Sequence, residues 1–487
     1  MGRVTEPNQV LPVPPADLPG TLGALRAAGH HYRTVKQELR DNLLARLRAG
    51  GDRFPGIVGY DDTVLPEVER ALLAGHDMVL LGERGQGKTR LIRSLVALLD
   101  EWTPVIAGSV LNEHPMHPLT PASRALAAEA GDDLPVAWLH RSMRYGEKLA
   151  TPDTSVGDLI GDVDPIRIAQ GRTLGDPETI HFGLVPRTNR GIFAVNELPD
   201  LAERIQVALL NVLEERDIQV RGYQLRLPLD LLLVASANPE DYTNRGRIIT
   251  PLKDRFGAEI HTHYPLGLEL ELALIRQEAD LVAEVPEHVL EVLARFARAV
   301  RDSPSVDQRS GVSARFAIAA AETVAAAALR RSGLLAAGAS TEGVREEAPV
   351  ARVGDAVSVT STLRGKVEFE SGEDGREVEI LAHLLRTATA DTFRARLAGL
   401  DLSGFTALVD DGRVVETGEL VASAELLRQV GTVPGLAKAL DRLGLGDAPT
   451  PEQAAAGVEF VLEGLHLTRR LGKDVTDSGR TVYGGRG

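Results

Sequence analysis

Eight consecutive residues, Gly82-Glu83-Arg84-Gly85-Gln86-Gly87-Lys88-Thr89, constrain this chain more than any other segment. They fill the pattern GxxxxGK[ST], and their surroundings have the order that pattern needs. Met78-Val79-Leu80-Leu81 ahead of them is a short apolar run of buried-strand type. Behind them Leu91, Leu95, Leu98, Leu99 and Trp102 recur at helical spacing. A strand, a glycine-rich turn and a helix in that order form a phosphate-type loop. The glycines let successive backbone N–H groups converge on phosphate oxygens, Lys88 reaches the β and γ phosphates, and the Thr89 hydroxyl ligates magnesium. Read as a plain turn, the segment would leave Lys88 and Thr89 with no packing purpose. Residues Gly82 to Thr89, with Arg90 beside them, are therefore the expected ATP-binding set.

A second element is Ile192-Phe193-Ala194-Val195-Asn196-Glu197, an apolar run that ends in two polar residues. An ATPase needs a magnesium-facing group and a water-orienting base at such a strand end. Glu197 is the candidate base. Asn196 stands where an acid is usual; its amide oxygen can accept from a magnesium-bound water, but it brings no charge. Leu231 to Ala235 is another buried-strand run, and Ile205, Leu209, Val212 and Leu213 between the two runs mark a helix face. Strands alternating with helices imply an α/β fold with a parallel sheet.

The rest of the 487 residues divides by pattern. Residues 1–50 read as a Pro-rich arm and a helix from about Thr34 to Arg48, and 51–265 as the α/β nucleotide-binding domain. Val64 to Ala74 within it reads as a helix. Residues 266–335 form a helical lid, with helices from Leu266 to Val300 and from Ala314 to Arg330, and 336–487 are mainly helical. Ser332 to Pro349 reads as a linker, and the tail from Lys473 as mobile. With 43% hydrophobic and 25% charged residues the composition is that of a globular protein. No run approaches the ~20 apolar residues of a membrane span, no signal peptide is evident, and the cytoplasm is the expected compartment. With no cysteine, disulfides and thiolate chemistry are excluded. A net charge of -15 argues against a general nucleic-acid coat, which needs clustered Lys and Arg.

Several further segments together resemble the helix-2-insert branch of AAA+ proteins, in particular the magnesium chelatase I subunit and MoxR-like ATPases. They are Gly56-Ile57-Val58-Gly59, the stretch Gly183 to Ile192, Leu213-Glu214-Glu215-Arg216, Ser236-Ala237-Asn238-Pro239-Glu240 and Leu252-Lys253-Asp254-Arg255-Phe256-Gly257. The resemblance runs from about Phe54 to Ala326. It implies a P-loop AAA+ parallel-sheet core with a helical lid, and an Mg-dependent ATPase that forms a ring, expected to be hexameric, and remodels a protein partner. It implies that Ile57 and Val58 line the adenine pocket, that Asn238 is the sensor that holds the attacking water or γ-phosphate, and that Arg255 is an arginine finger acting on the neighbouring subunit. Arg315 resembles a second, lid-borne sensor. Two segments, Ile160 to Leu184 and the hairpin Ile218 to Leu227, resemble insertions that face a central pore. A partner with a von Willebrand factor A domain is implied by the same resemblance. Two alternatives stay open: an ATPase subunit driving magnesium insertion into protoporphyrin, and an ATP-binding assembly switch of low turnover.

His114 with His117, and His261 with His263, are weak metal candidates, because a transition-metal site wants three or four convergent ligands. Packed or exposed histidines are the expectation there.

Overall fold

The computed structural model describes residues 12–164, 179–214, 217–220, 223–239, 247–307, 310–338, 347–410, 413–476 and 480–484. They fall into two compact units, Met1–Glu83 with Gly87–His263, and Arg84–Gln86 with Tyr264–Gly487.

In the first unit, Thr34 starts the Val35–Ala49 helix with a capping box: its side chain accepts from Gln37 N, and the Gln37 side chain accepts from Thr34 N. Gly50 ends the helix at φ 66°, a left-handed stop. The Val64–Ala74 helix ends the same way on Gly75. A five-stranded sheet follows, built from β1 (Met78–Leu81), β2 (Tyr145–Leu149), β3 (Gly191–Asn196), β4 (Leu231–Ala237) and β5 (Ala258–His261) in the order β5-β1-β4-β3-β2. Every pairing in it is parallel. Strands β1, β3 and β4 are buried along their whole length, so they read as unbroken apolar runs.

Alternate residues of these strands feed two cores. Val79, Phe193, Val195, Leu233 and Ala235 pack with Ile205 and Leu209 of the Glu203–Glu214 helix. Met78, Leu80, Ile192, Ala194, Leu232 and Val234 pack with Val35, Leu39 and Leu43 and with Val68 on the other face. Each large side chain so buried contributes about 1.5–3 kcal/mol. Arg144, just ahead of β2, is fully buried and grips Glu38 with two bonds of 2.7 Å. Its Nε donates to Arg190 O at 2.7 Å, which ties the Val35–Ala49 helix to the start of β3.

One expectation changes in this unit. The helix after the phosphate loop is Lys88–Ser94, continued by a tight turn over Leu95–Leu98, so Trp102 does not belong to it. Trp102 opens a strand, Trp102–Ile106, antiparallel to Val136–His140. The stretch from Ile160 to Leu184 holds a second antiparallel pair, Gly161–Val163 with Ile180–Phe182, while residues 165–178 lie outside the described residues. The expected hairpin pairs Asp217–Val220 with Tyr223–Arg226. Its Arg221-Gly222 turn lies outside the described residues, as do Glu215, Arg216 and Glu240.

In the second unit, the helices Leu268–Glu278, Glu287–Arg301, Ala314–Gly338, Glu377–Arg396 and Pro451–Leu467 share one apolar core that runs from Leu272 to Tyr483. The expected lid and C-terminal regions thus bury their side chains together. The alanine helix continues through the first part of the expected linker to Gly338, with Ser332 buried; residues 339–346 lie outside the described residues. The expected mobile tail holds the strands Lys473–Val475 and Thr481–Tyr483, which form a three-stranded antiparallel sheet with Val415–Thr417. Tyr483 is buried there. Among the described residues no helix is long and apolar enough to cross a membrane.

Candidate active site

The carboxyl ends of β1, β3 and β4 converge, because parallel pairing puts all three strand ends on one edge of the sheet. At β1 the chain leaves the sheet as Gly82 N donates to Ala237 O at 3.2 Å. Gly85 and Gly87 take φ of 74° and 81°, values that side chains with a Cβ rarely adopt, and Gly87 directly precedes the Lys88–Ser94 helix. A Cβ at Gly87 would meet nothing within 4 Å, so glycine serves backbone conformation there, not packing.

Lys88 is 8% exposed and its ammonium is held by three oxygens: Gly82 O at 2.5 Å, Glu83 O at 2.8 Å and Asn238 Oδ1 at 2.9 Å. Asn238 follows directly on β4 and is buried. The structure therefore brings the loop lysine and the expected sensor amide into contact across 150 residues of sequence.

Thr89 Oγ1 donates to Asn196 Oδ1 at 3.3 Å, and the same amide oxygen accepts from Ser236 Oγ at 3.2 Å. Thr89, Asn196 and Ser236 thus gather hydroxyl and amide oxygens, the hard donors that suit magnesium. Glu197 has φ 56° and ψ 48°, a left-handed backbone unusual for glutamate. Its N–H donates to Ser236 Oγ at 3.3 Å. Ile57 and Val58 are half-buried between Gly56 and Gly59, which have φ of 79° and 83°. The Arg90 guanidinium lies so close to Gly56 that a Cβ there would sit 3.0 Å from Nη2, which puts the Ile57-Val58 segment beside the phosphate-loop helix.

Arg255 ends the Thr250–Arg255 helix, 46% exposed, and pairs with Glu214. Arg315 is exposed in the first turn of the Ala314–Gly338 helix of the second unit.

The sequence reading missed Glu147 of β2. Its Oε1 accepts from Asn196 Nδ2 at 2.7 Å, and Arg93 grips the carboxylate through Nε at 2.8 Å and Nη2 at 2.9 Å. Tyr145 Oη donates to Oε2 at 2.9 Å. Burial alone would raise the Glu147 carboxyl, but the bonds from Arg93 and Tyr145, the Arg93 charge and the Asn196 amide outweigh it and hold the group below the usual carboxylate range. The only trace in sequence is Arg93 four residues after Thr89, on the same side of the helix.

His114 is 1% exposed and stacks on His30 with 5.3 Å between ring centroids. Burial and then the Arg190 charge push its pKa down to about 2. Among the described residues no group of three His, Cys, Asp or Glu could hold a metal.

No family model matches the chain. Among curated proteins, it is 30% identical over 235 residues to the magnesium-chelatase subunit ChlI of Nostoc sp., a match covering 47% of this chain and 59% of that protein. The magnesium-chelatase 38 kDa subunit of Cereibacter sphaeroides is 29% identical over 231 residues, 46% of this chain and 62% of the relative. The chloroplastic subunit ChlI-1 of Arabidopsis thaliana is 28% identical over 232 residues, covering 46% and 51%. The chain thus spans little more than half the length of the curated relatives it matches. A solved complex of magnesium chelatase subunits BchI and BchD aligns with 67% of this chain and 98% of its own at 23% identity, with a TM-score of only 0.35. NtrX from Brucella abortus aligns at 15% identity and a TM-score of 0.38, covering 76% and 72%. Superpositions this loose add nothing to the sequence relationship. The chain is a homologue of magnesium chelatase I subunits, with the P-loop α/β fold that the AAA+ resemblance implies.

Proposed function

We propose that this homologue of the magnesium chelatase I subunits is an Mg-dependent ATPase that works as a ring of identical subunits and acts on a protein partner. The observation that carries the reading is the convergence of Lys88 with Asn238 and of Thr89 with Asn196, which joins the phosphate loop to the ends of β4 and β3. A pure packing role would not require a buried ammonium held by three oxygens at a glycine turn.

In this reading the amides of Gly82 to Lys88 bind the phosphates, and Lys88 exchanges Asn238 for a phosphate oxygen. Thr89 and Asn196 hold magnesium, which supplies charge neutralisation at the β and γ phosphates when bound. Glu197 orients the attacking water, and its left-handed backbone turns it out of the line of β3. Asn238, once free of Lys88, positions that water or the γ-phosphate. Ile57 and Val58 flank the base, and Arg315 reports nucleotide state from the lid. Arg255 stabilises charge on the nucleotide of a neighbouring copy, for which it leaves Glu214. The proposed divisions are the α/β domain at 51–265 and the lid at 266–335. The relatives' names point to magnesium chelation as one setting for such a motor; protoporphyrin as the acceptor and a von Willebrand factor A domain partner follow from the family resemblance.

The test is steady-state phosphate release from ATP by the purified chain, with magnesium and with chelator. Magnesium-dependent release supports the reading. Nucleotide binding without release would favour the assembly switch, and no binding at all would refute both.

A further inference from the structure

Residue 196 is an amide, and an amide serves a metal-facing position only in one of its two orientations. With Oδ1 toward Thr89 it is an acceptor; flipped, it would present N–H donors to a cation. The neighbouring hydroxyls do not settle the choice, since the Thr89 and Ser236 hydroxyls can each donate or accept. Glu147 does settle it. An ionised carboxylate only accepts, and Glu147 Oε1 lies 2.7 Å from Asn196 Nδ2, so the NH₂ must face β2 and the oxygen must face Thr89. Glu147 is itself fixed. Arg93 holds both of its oxygens from the phosphate-loop helix, and Tyr145 donates to one of them.

We propose that Glu147 is the acid of this metal site, a positioning residue on the edge strand that holds Asn196 with its oxygen toward Thr89 and supplies the negative charge residue 196 lacks. In this arrangement β3 ends in the amide and β2 carries the carboxylate, one hydrogen bond further from the proposed cation. This rests on the ATP and magnesium reading above.

The geometry separates three variants. Glu147→Gln keeps the shape but can turn its own NH₂ toward Asn196, which removes both the charge and the forced orientation. Asn196→Asp alone sets two carboxylates within hydrogen-bond distance of each other, where like charges compete for one proton. Asn196→Asp with Glu147→Gln needs no forced orientation, because both oxygens of a carboxylate accept, and the glutamine amide can donate to one of them.

The experiment titrates magnesium into each variant with a slowly hydrolysed fluorescent nucleotide, mant-ATPγS, and reads its affinity from chelator upward. For Glu147→Gln, nucleotide affinity in chelator should stay within about twofold of wild type while half-saturating magnesium rises about tenfold, the lower end of the loss for partners that orient a metal ligand. The double variant should recover most of that loss and bind magnesium better than Asn196→Asp alone. An unchanged magnesium requirement in Glu147→Gln overturns the proposal. So does an equal loss with and without magnesium, which would make Glu147 a structural residue, or a double variant no better than its parents. If wild-type affinity ignores magnesium altogether, the metal reading itself fails.

Discussion

Replacing Lys88 by alanine should weaken ATP binding on the order of 10²–10³-fold, and the structure shows why the loss is not larger. In the free protein the ammonium already satisfies Gly82 O, Glu83 O and Asn238 Oδ1. Two charge-assisted bonds to phosphate oxygens are worth about 3–6 kcal/mol, from which exchanging the Asn238 bond subtracts about 1 kcal/mol. The remainder, about 3–4 kcal/mol when the bonds are of middling strength, is about two to three decades of affinity. The alanine variant also leaves three acceptors without their donor, so folding stability should fall by about 1–3 kcal/mol unless water replaces the ammonium. Calorimetry of ATP binding, run with urea unfolding on the same samples, measures both numbers. An affinity within about fivefold of wild type, in a variant shown to be folded, would refute the phosphate role of Lys88.

Further outcomes follow from other parts of the molecule. Arg255→Ala should bind ATP normally but lose about 10³-fold in turnover, and mixing it with Lys88→Ala subunits should restore part of the activity, because each supplies what the other lacks; mixed assemblies that stay inactive would make Arg255 a structural partner of Glu214. Arg144→Met should cost about 3–5 kcal/mol in urea unfolding, since it strands the buried Glu38 charge, whereas the Glu38→Gln, Arg144→Met pair should cost much less. Buried His288, 4.9 Å from Phe460, has its pKa pushed down to about 3 by burial and then by the Arg396 charge. Its neutral form stabilises the fold above pH ~6.5, and that stability drains as pH falls, with a slope approaching 1.4 kcal/mol per unit in urea unfolding. His288→Gln should flatten that slope; an unchanged slope would place the proton uptake elsewhere.

The sequence was legible where burial is complete. Strands β1, β3 and β4 are buried on both faces, so their apolar runs stand out, and the glycine pattern marks the loop between β1 and its helix. Strand β2 was not legible. It lies at the sheet edge as Tyr145-Gly146-Glu147-Lys148-Leu149, with Leu149 exposed and its polar residues serving Asn196 and Arg93, so no buried-strand signal survives. That is why half of the network around Asn196 escaped notice. Trp102 fell on the helical period of Leu91, Leu95 and Leu98 by coincidence of spacing. The tail strands are three residues each, and Thr481–Tyr483 joins Lys473–Val475 to Val415–Thr417, more than fifty residues upstream, a contact that no local pattern announces. Arg255 could be named from the resemblance, but its pairing with Glu214 could not, because that depends on how two helices meet.

The central claim is that ATP is cleaved at this site with Glu197 orienting the water. A single-turnover experiment tests it most directly: wild type and Glu197→Gln are loaded with ATP and magnesium, freed of excess nucleotide, aged, quenched in acid and analysed for bound ATP and ADP. Wild type should hold ADP, and Glu197→Gln should hold ATP, because the glutamine keeps the shape but loses the acceptor that organises the water. ADP formed at the wild-type rate in Glu197→Gln would contradict the account.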